Sequence, residues 1–276
     1  MPSKPLSLSA MALGLLALVV VSCNPGRGSN GGNPVNNSYL ASVSIISGAS
    51  TITDSFSYDD QHRVARFGCY ASDGSNNASF TADFNFPAGA ALPDGYAFVM
   101  AGSSADQHQL TFDGQGRITK DTSLSGSHFV TYYSYVGNLV INRILFDGTQ
   151  SGAQIDTLTV TNGDLTAEKI WGEDQGSWSN QGDLIYGHAT AANPGYKAQV
   201  ANAVGPLLYV LTVYNFGGYA DFISKTVVNK ISGTADGLPT GGFNYSVGVD
   251  ATGRVSSQTP VGPGIPAGTK TVFTYY

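Results

Sequence analysis

Apolar and polar positions along this chain alternate in short runs instead of recurring every three or four residues. Ser42-Val43-Ser44-Ile45-Ile46, Phe80-Thr81-Ala82-Asp83-Phe84-Asn85-Phe86, Thr157-Leu158-Thr159-Val160-Thr161 and Thr271-Val272-Phe273-Thr274-Tyr275 are rich in β-branched and aromatic side chains and are set apart by Gly, Asn and Asp. A period of two turns one face of each run to a core and the other to water, which predicts antiparallel strands. Asn162-Gly163, between Val160 and Leu165, marks a tight hairpin, because both residues tolerate the positive φ that such a turn requires. One interval departs from the pattern. Between Pro194 and Lys230, the stretch Tyr196 to Val204 has the spacing of two helical turns, while the apolar run Leu207 to Val213 fits a buried strand or a buried helix equally. The expected fold is all-β: one domain over 39–276, a large twisted antiparallel sheet of hairpins curling into an open half-barrel. A β-sandwich is the alternative, and any helix is confined to a short segment within 194–230.

A motif recurs three times. Tyr58-Asp59-Asp60-Gln61-His62-Arg63-Val64, Phe112-Asp113-Gly114-Gln115-Gly116-Arg117-Ile118 and Val249-Asp250-Ala251-Thr252-Gly253-Arg254-Val255 share a hydrophobe, Asp, two free positions, Gly or His, Arg, and Val or Ile. An Asp at the start of a type I turn accepts a hydrogen bond from the backbone two residues on, and the fifth residue must enter the left-handed region. Gly is free there, and His is enriched among other residues. Arg63, Arg117 and Arg254 then lie on the returning strand within reach of Asp59, Asp113 and Asp250, as braces worth about 0–1 kcal/mol each. The unequal spacing of the copies argues for a hairpin device reused within one sheet and against a regular solenoid.

The N-terminus carries an address. Lys4 supplies a positive n-region, Leu13 to Val21 an apolar core, and Ser22 a small residue before Cys23, so 1–22 reads as a secretory signal. Val20-Val21-Ser22-Cys23 resembles a bacterial lipobox, in which the Cys23 thiol receives a diacylglyceryl group and its amine becomes the new N-terminus after cleavage. Residues 23–38 are then a lipid-anchored flexible tether of Gly, Asn, Pro and Ser with a reach of roughly 20 Å. The expected location is the cell envelope, at the outer membrane, with the membrane itself a partner through the lipid. With Cys23 acylated, Cys69 is the only other cysteine, so no internal disulfide forms and Cys69 reads as a small buried hydrophobe.

The pattern Y/F-D-x-x-G-R-V/I resembles the tyrosine-aspartate (YD) hairpin repeats of Rhs-type proteins. The order of lipobox, Gly/Asn-rich tether, scattered DxxGR hairpins, an irregular interval around Phe222-Ile223-Ser224-Lys225 and a terminal aromatic strand from Thr271 to Tyr276 is similar to Gram-negative envelope lipoproteins classed as a domain of unknown function. The first copy departs from the pattern in having His62 for Gly. The resemblance implies a large antiparallel sheet on the envelope and supplies no catalytic residues.

Composition narrows the function. Thirteen basic against nineteen acidic residues give a net charge of -6, the wrong sign for a nucleic-acid partner, and 42% hydrophobic residues exclude global disorder. No GxSxG elbow, HExxH pair, GxxxxGK loop or dinucleotide fingerprint is present, and His62, His108, His128 and His188 lack ligand spacing and read as turn or surface residues. No cofactor, metal or catalytic residue is therefore expected, and the chain reads as no enzyme. The best ligand-binding candidate is Trp171, Glu173, Asp174 and Trp178, two indoles around a polar Gly-containing loop. Flat sugar faces stack on such rings while acids bond the hydroxyls. The expected function is a non-catalytic binding module of the envelope with a glycan or envelope protein as partner. The alternatives are an accessory subunit of an envelope complex, then a lipid carrier or an enzyme.

Overall fold

The computed structural model describes residues 39–125, 129–145, 153–174, 176–194, 205–215, 224–235, 238–262 and 265–276. The signal segment, Cys23, the tether and the stretch Tyr196 to Val204 lie outside the described residues. Sixteen strands follow in order: β1 (Leu40–Ser47), β2 (Ser50–Tyr58), β3 (Val64–Ser72), β4 (Asn77–Asn85), β5 (Gly95–Met100), β6 (Asp106–Phe112), β7 (Ile118–Ser123) and β8 (Val130–Val136). After them come β9 (Leu139–Leu145), β10 (Gln154–Thr161), β11 (Asp164–Asp174), β12 (Ser177–Ala192), β13 (Thr226–Ala235), β14 (Leu238–Val249), β15 (Val255–Val261) and β16 (Lys270–Tyr275). A helix, α1 (Gly205–Asn215), sits between β12 and β13.

Each strand pairs antiparallel with its neighbours in sequence, and β1 pairs with β16, so the sheet closes into a barrel. Val43 lies opposite Phe273 and Ile45 opposite Thr271 across the seam. This overturns both the open half-barrel and the sandwich. An open sheet leaves two rows of unpaired N–H and C=O groups at its edges, and closure removes them. Period-two alternation is the same in open, stacked and closed sheets, so closure was not legible in the strands.

A barrel of this strand number leaves a wide lumen unless something fills it. Here the inward positions fill it. Phe56, Phe67, Phe80 and Phe98 form a ladder of rings with successive centroids 5.3, 5.8 and 5.1 Å apart. They belong to one core cluster that also takes Val43, Tyr96, Ile118, Tyr133, Leu158, Val227 and Phe273 from strands all round the wall. Each fully buried Phe or Leu contributes about 1.5–3 kcal/mol. The ambiguous run at Leu207 resolves as helix: α1 places Leu207, Leu208, Val210 and Leu211 in that same core and packs against β7, far round the barrel from the strands it joins. A short helix with apolar residues on all its faces is stable only when surrounded by other apolar groups, and the lumen supplies them.

The outward positions are of opposite character. Ser42 bonds Thr274 at 2.6 Å, Ser44 bonds Thr53 at 2.9 Å, Thr111 bonds Thr119 at 3.0 Å, and Arg66 Nη2 donates to Asp83 Oδ2 at 3.0 Å. The interior is mostly apolar, while the outer wall mixes these polar pairs with exposed apolar side chains such as Tyr132, Val136 and Ile185.

Simple up-and-down order also sorts the connections by end. Every even-to-odd turn shares one rim with the start of β1 and the end of β16, and every odd-to-even turn lies at the other.

Candidate functional site

The three DxxGR turns connect β2 to β3, β6 to β7 and β14 to β15, so all lie on the rim where the chain enters the barrel. Their geometry is the same. Asp59 Oδ1 accepts from the N–H groups of Gln61 and Arg63, both at 2.9 Å, and Oδ2 accepts from Arg63 Nε at 2.7 Å. Asp113 and Asp250 hold Arg117 and Arg254 likewise, with Nε to Oδ2 at 2.7 and 2.8 Å. The fifth position is left-handed in each copy: His62 at φ 62°, Gly116 at 75° and Gly253 at 82°. His62 stacks on Tyr39, with centroids 4.8 Å apart.

Each arginine also lies over an aromatic ring on or just beyond the strand next door: Arg63 over Phe86, one residue past β4, at 3.9 Å, Arg117 over Tyr135 of β8 at 4.3 Å and Arg254 over Tyr275 of β16 at 4.5 Å. Sequence reasoning missed this third member, because the aromatic partners follow their arginines at unequal distances. Desolvation raises the Asp59 pKa, but the hydrogen bonds from Arg63 and Gln61 outweigh it and hold the carboxyl below the usual carboxylate range. Hydrogen bonds from Arg117 do the same for Asp113, and those from Thr252 and Arg254 for Asp250. Burial pushes the neighbouring phenols Tyr135 and Tyr275 up to about 12. These turns are braces in which each Arg is neutralised by its own turn's Asp.

The lumen holds a second polar set. Tyr96 Oη donates to Asp121 Oδ2 at 2.6 Å, and His108 Nδ1 donates to Asp121 Oδ1 at 2.7 Å. His108 is therefore a buried residue and not a turn or surface one; the sequence placed it in a run too short to show its face. His188 is half-buried in β12, within reach of the carbonyls of Leu165 and Thr226, and His128 lies outside the described residues. Burial first, then the Asp121 charge, drives the Tyr96 phenol well above its ordinary value. Asn142, Gln154, Asp156 and Glu168 extend this polar band across β9 to β11, with Gln154 Nε2 donating to Asp156 Oδ1 at 3.0 Å and Tyr186 Oη donating to Glu168. Tyr96, His108 and Asp121 are all buried, so the constellation orders the interior and offers a substrate no approach. Cys69 is buried opposite Asp54, and burial, reinforced by the Asp54 charge, raises its thiol. Among the described residues no group of three or more His, Cys, Asp or Glu side chains could hold a metal ion.

The tryptophan hairpin lies at the opposite rim. Trp171 and Glu173 on β11 face Asn180 and Trp178 on β12, a register offset by a bulge between Ile170 and Trp171. All four lie on the outside of the wall, since Trp171 is opposite Ile155, whose neighbours Gln154 and Asp156 point inward. Trp171 is 38% and Trp178 41% exposed. Glu173 is turned back on its own hairpin, where its carboxylate accepts from the Gly176 N–H. The side chain of Asp174 lies outside the described residues.

The register carries this patch further round the wall than the sequence indicated. Lys120, Tyr132, Arg143, Ile155, Trp171 and Asn180 are directly opposite one another across β7 to β12, one residue per strand. Tyr132 is 41% exposed, and Lys120 Nζ lies 5.4 Å from its ring centroid. Arg143 stands apart. Of the five described arginines, Arg63, Arg66, Arg117 and Arg254 are ion-paired with aspartates. Arg143 has no carboxylate partner among the described residues, and its Nε is shielded from water without a hydrogen-bond acceptor. No sequence signal picked out Tyr132 or Arg143, because their adjacency to Trp171 is a property of register alone.

No family model and no curated protein matches this chain. Among solved structures it is similar to a porin-like protein from Bacteroides uniformis ATCC 8492, at 13% identity and a TM-score of 0.53, over 88% of this chain and 99% of that one. It is also similar to a porin-like protein from Bacteroides vulgatus ATCC 8482, at 12% identity and a TM-score of 0.53, over 87% and 99% of the respective chains. At this identity the likeness is one of fold, a β-barrel that takes in nearly the whole of each neighbour.

Proposed function

We propose that this protein is a lipid-anchored, non-catalytic binding module of a bacterial cell envelope, built as a closed barrel that stands beside the membrane instead of crossing it. The observation that carries this reading is the polarity of the wall. A membrane-spanning barrel presents an apolar band about 25 Å tall to lipid and keeps a polar interior. Here serines, threonines and an Arg66–Asp83 pair face outward, while the phenylalanine ladder and α1 fill the lumen. Polar pairs interrupt the exposed apolar residues of such a wall, and the filled lumen opposes an ion path. The lipobox at Cys23 supplies attachment in its place, and the shared fold with porin-like proteins of Bacteroides agrees with an envelope setting.

The tether enters β1 at the rim of the DxxGR braces, so the opposite rim, with Trp171 and Trp178, is the end held away from the bilayer. Exposed indoles there suit a glycan, whose flat sugar faces stack on aromatic rings.

Exchanging residues 1–23 for a cleavable secretory signal without the cysteine tests the reading. The expected product is folded, soluble without detergent and absent from the membrane fraction. A product that remains integral to the membrane overturns it.

A further inference from the structure

The outer-wall row from Lys120 to Trp171 gathers two exposed aromatic rings, a lysine, and the one described arginine without an acid partner among the described residues. The chain as a whole is acidic, with nineteen Asp and Glu against thirteen Lys and Arg, and every other described arginine is neutralised by an aspartate. An unneutralised guanidinium between Tyr132 and Ile155 is therefore a charge left for something outside the chain.

We propose that this row binds an anionic glycan lying across the strands, with Trp171 and Tyr132 stacking on sugar faces and Arg143 and Lys120 pairing with its carboxylate or sulfate groups. The assignment rests on the binding-module reading and names the ligand class. At ~4.8 Å between neighbouring strands, the row from Lys120 to Trp171 spans on the order of 19 Å, room for several sugar rings. Arginine suits the acidic groups because its planar fork gives two parallel N–H donors to a carboxylate or sulfate. A peptide is the poorer occupant. Extended peptides are captured chiefly by adding a strand to an open sheet edge, and this closed barrel has none.

The experiment uses the two tryptophans of the chain, both in this hairpin, as its reporter. Their fluorescence is titrated with a galacturonic-acid hexamer, a chondroitin sulfate hexasaccharide and neutral cellohexaose, at low and high salt, on the full-length protein in detergent. The expected result is saturable binding of an acidic oligosaccharide that weakens with salt, with cellohexaose at least about tenfold weaker. Arg143→Gln should remove that preference, Arg143→Lys should keep part of it, and Trp171→Ala should weaken both kinds of ligand; an unchanged melting temperature shows each variant folded. If cellohexaose binds as well as the acidic chains and Arg143→Gln changes nothing, the anionic assignment is overturned while the binding module stands. If none of the three binds to the unaltered protein, the assignment and the glycan reading both fall.

Discussion

The arginines at the DxxGR rim and the arginine on the outer wall are the same residue put to opposite uses. At the rim each guanidinium is locked twice, by Oδ2 of an aspartate four residues earlier and by an aromatic ring beneath it. On the wall Arg143 has neighbours but no acid. The difference teaches that an arginine is neutralised here where a turn or the strand next to it supplies an aspartate, as Asp83 does for Arg66. Arg143, whose register neighbours are Tyr132 and Ile155, meets no such acid among the described residues.

The largest expected effect that would break this contrast is at the most enclosed brace. Arg63→Ala removes the pair with Asp59, the stack on Phe86 and the hydrogen bond to the Ala90 carbonyl. Chemical denaturation should show a loss of about 2–3 kcal/mol, since a partly buried acid is left without its partner. A loss below about 0.5 kcal/mol would put the rim in the same class as the wall.

Gly253→Ala tests the turn without touching any charge. A Cβ there meets no atom, but φ is 82°, so only the left-handed backbone opposes it, at about 1–2 kcal/mol. A neutral result in a thermal melt would mean that the turn relaxes and the brace does not depend on its shape.

Acid tests the rim aspartates directly. The carboxyls of Asp59, Asp113 and Asp250 are lowered in the folded state relative to an unfolded value of about 3.9. Their contribution is complete above that value and is lost as pH falls below it toward the folded pKa. The melting temperature should therefore drop as pH falls below about 4, and changing all three to Asn should flatten that drop while lowering stability at neutral pH. An unchanged slope in the triple variant would mean that the acid sensitivity does not arise at these turns.

The smallest expected effect is the most discriminating. Arg143→Gln should alter stability by no more than about 0.5 kcal/mol, as for a surface residue free of caps and networks. A larger loss would make Arg143 a structural residue and withdraw the charge offered to a ligand.

Much of this was legible before folding, because it depends on residues close together in the chain. Alternation of apolar and polar positions named the strands, and the helix falls inside the one interval where the alternation lapses. The Asp–Arg geometry follows from a five-residue turn whose donors, acceptors and left-handed position are all local. The tryptophan hairpin was visible as two indoles around a polar loop, although Glu173 proved to bond its own turn.

What only the tertiary structure decided are relations between residues far apart. Strand pairing at the seam turned the expected half-barrel into a closed one, because β1 and β16 lie at opposite ends of the folded chain and their pairing leaves no local trace in the sequence. Closure then determined which face of each strand is inside, buried His108 against Asp121, and drew the apolar helix into the lumen. Register set Tyr132 and Arg143 beside Trp171, since a slip of one residue would carry each to the opposite face. The sequence by itself determined the strands, their turns and the braces at one rim; the sheet's closure and register decided what the wall shows to the outside.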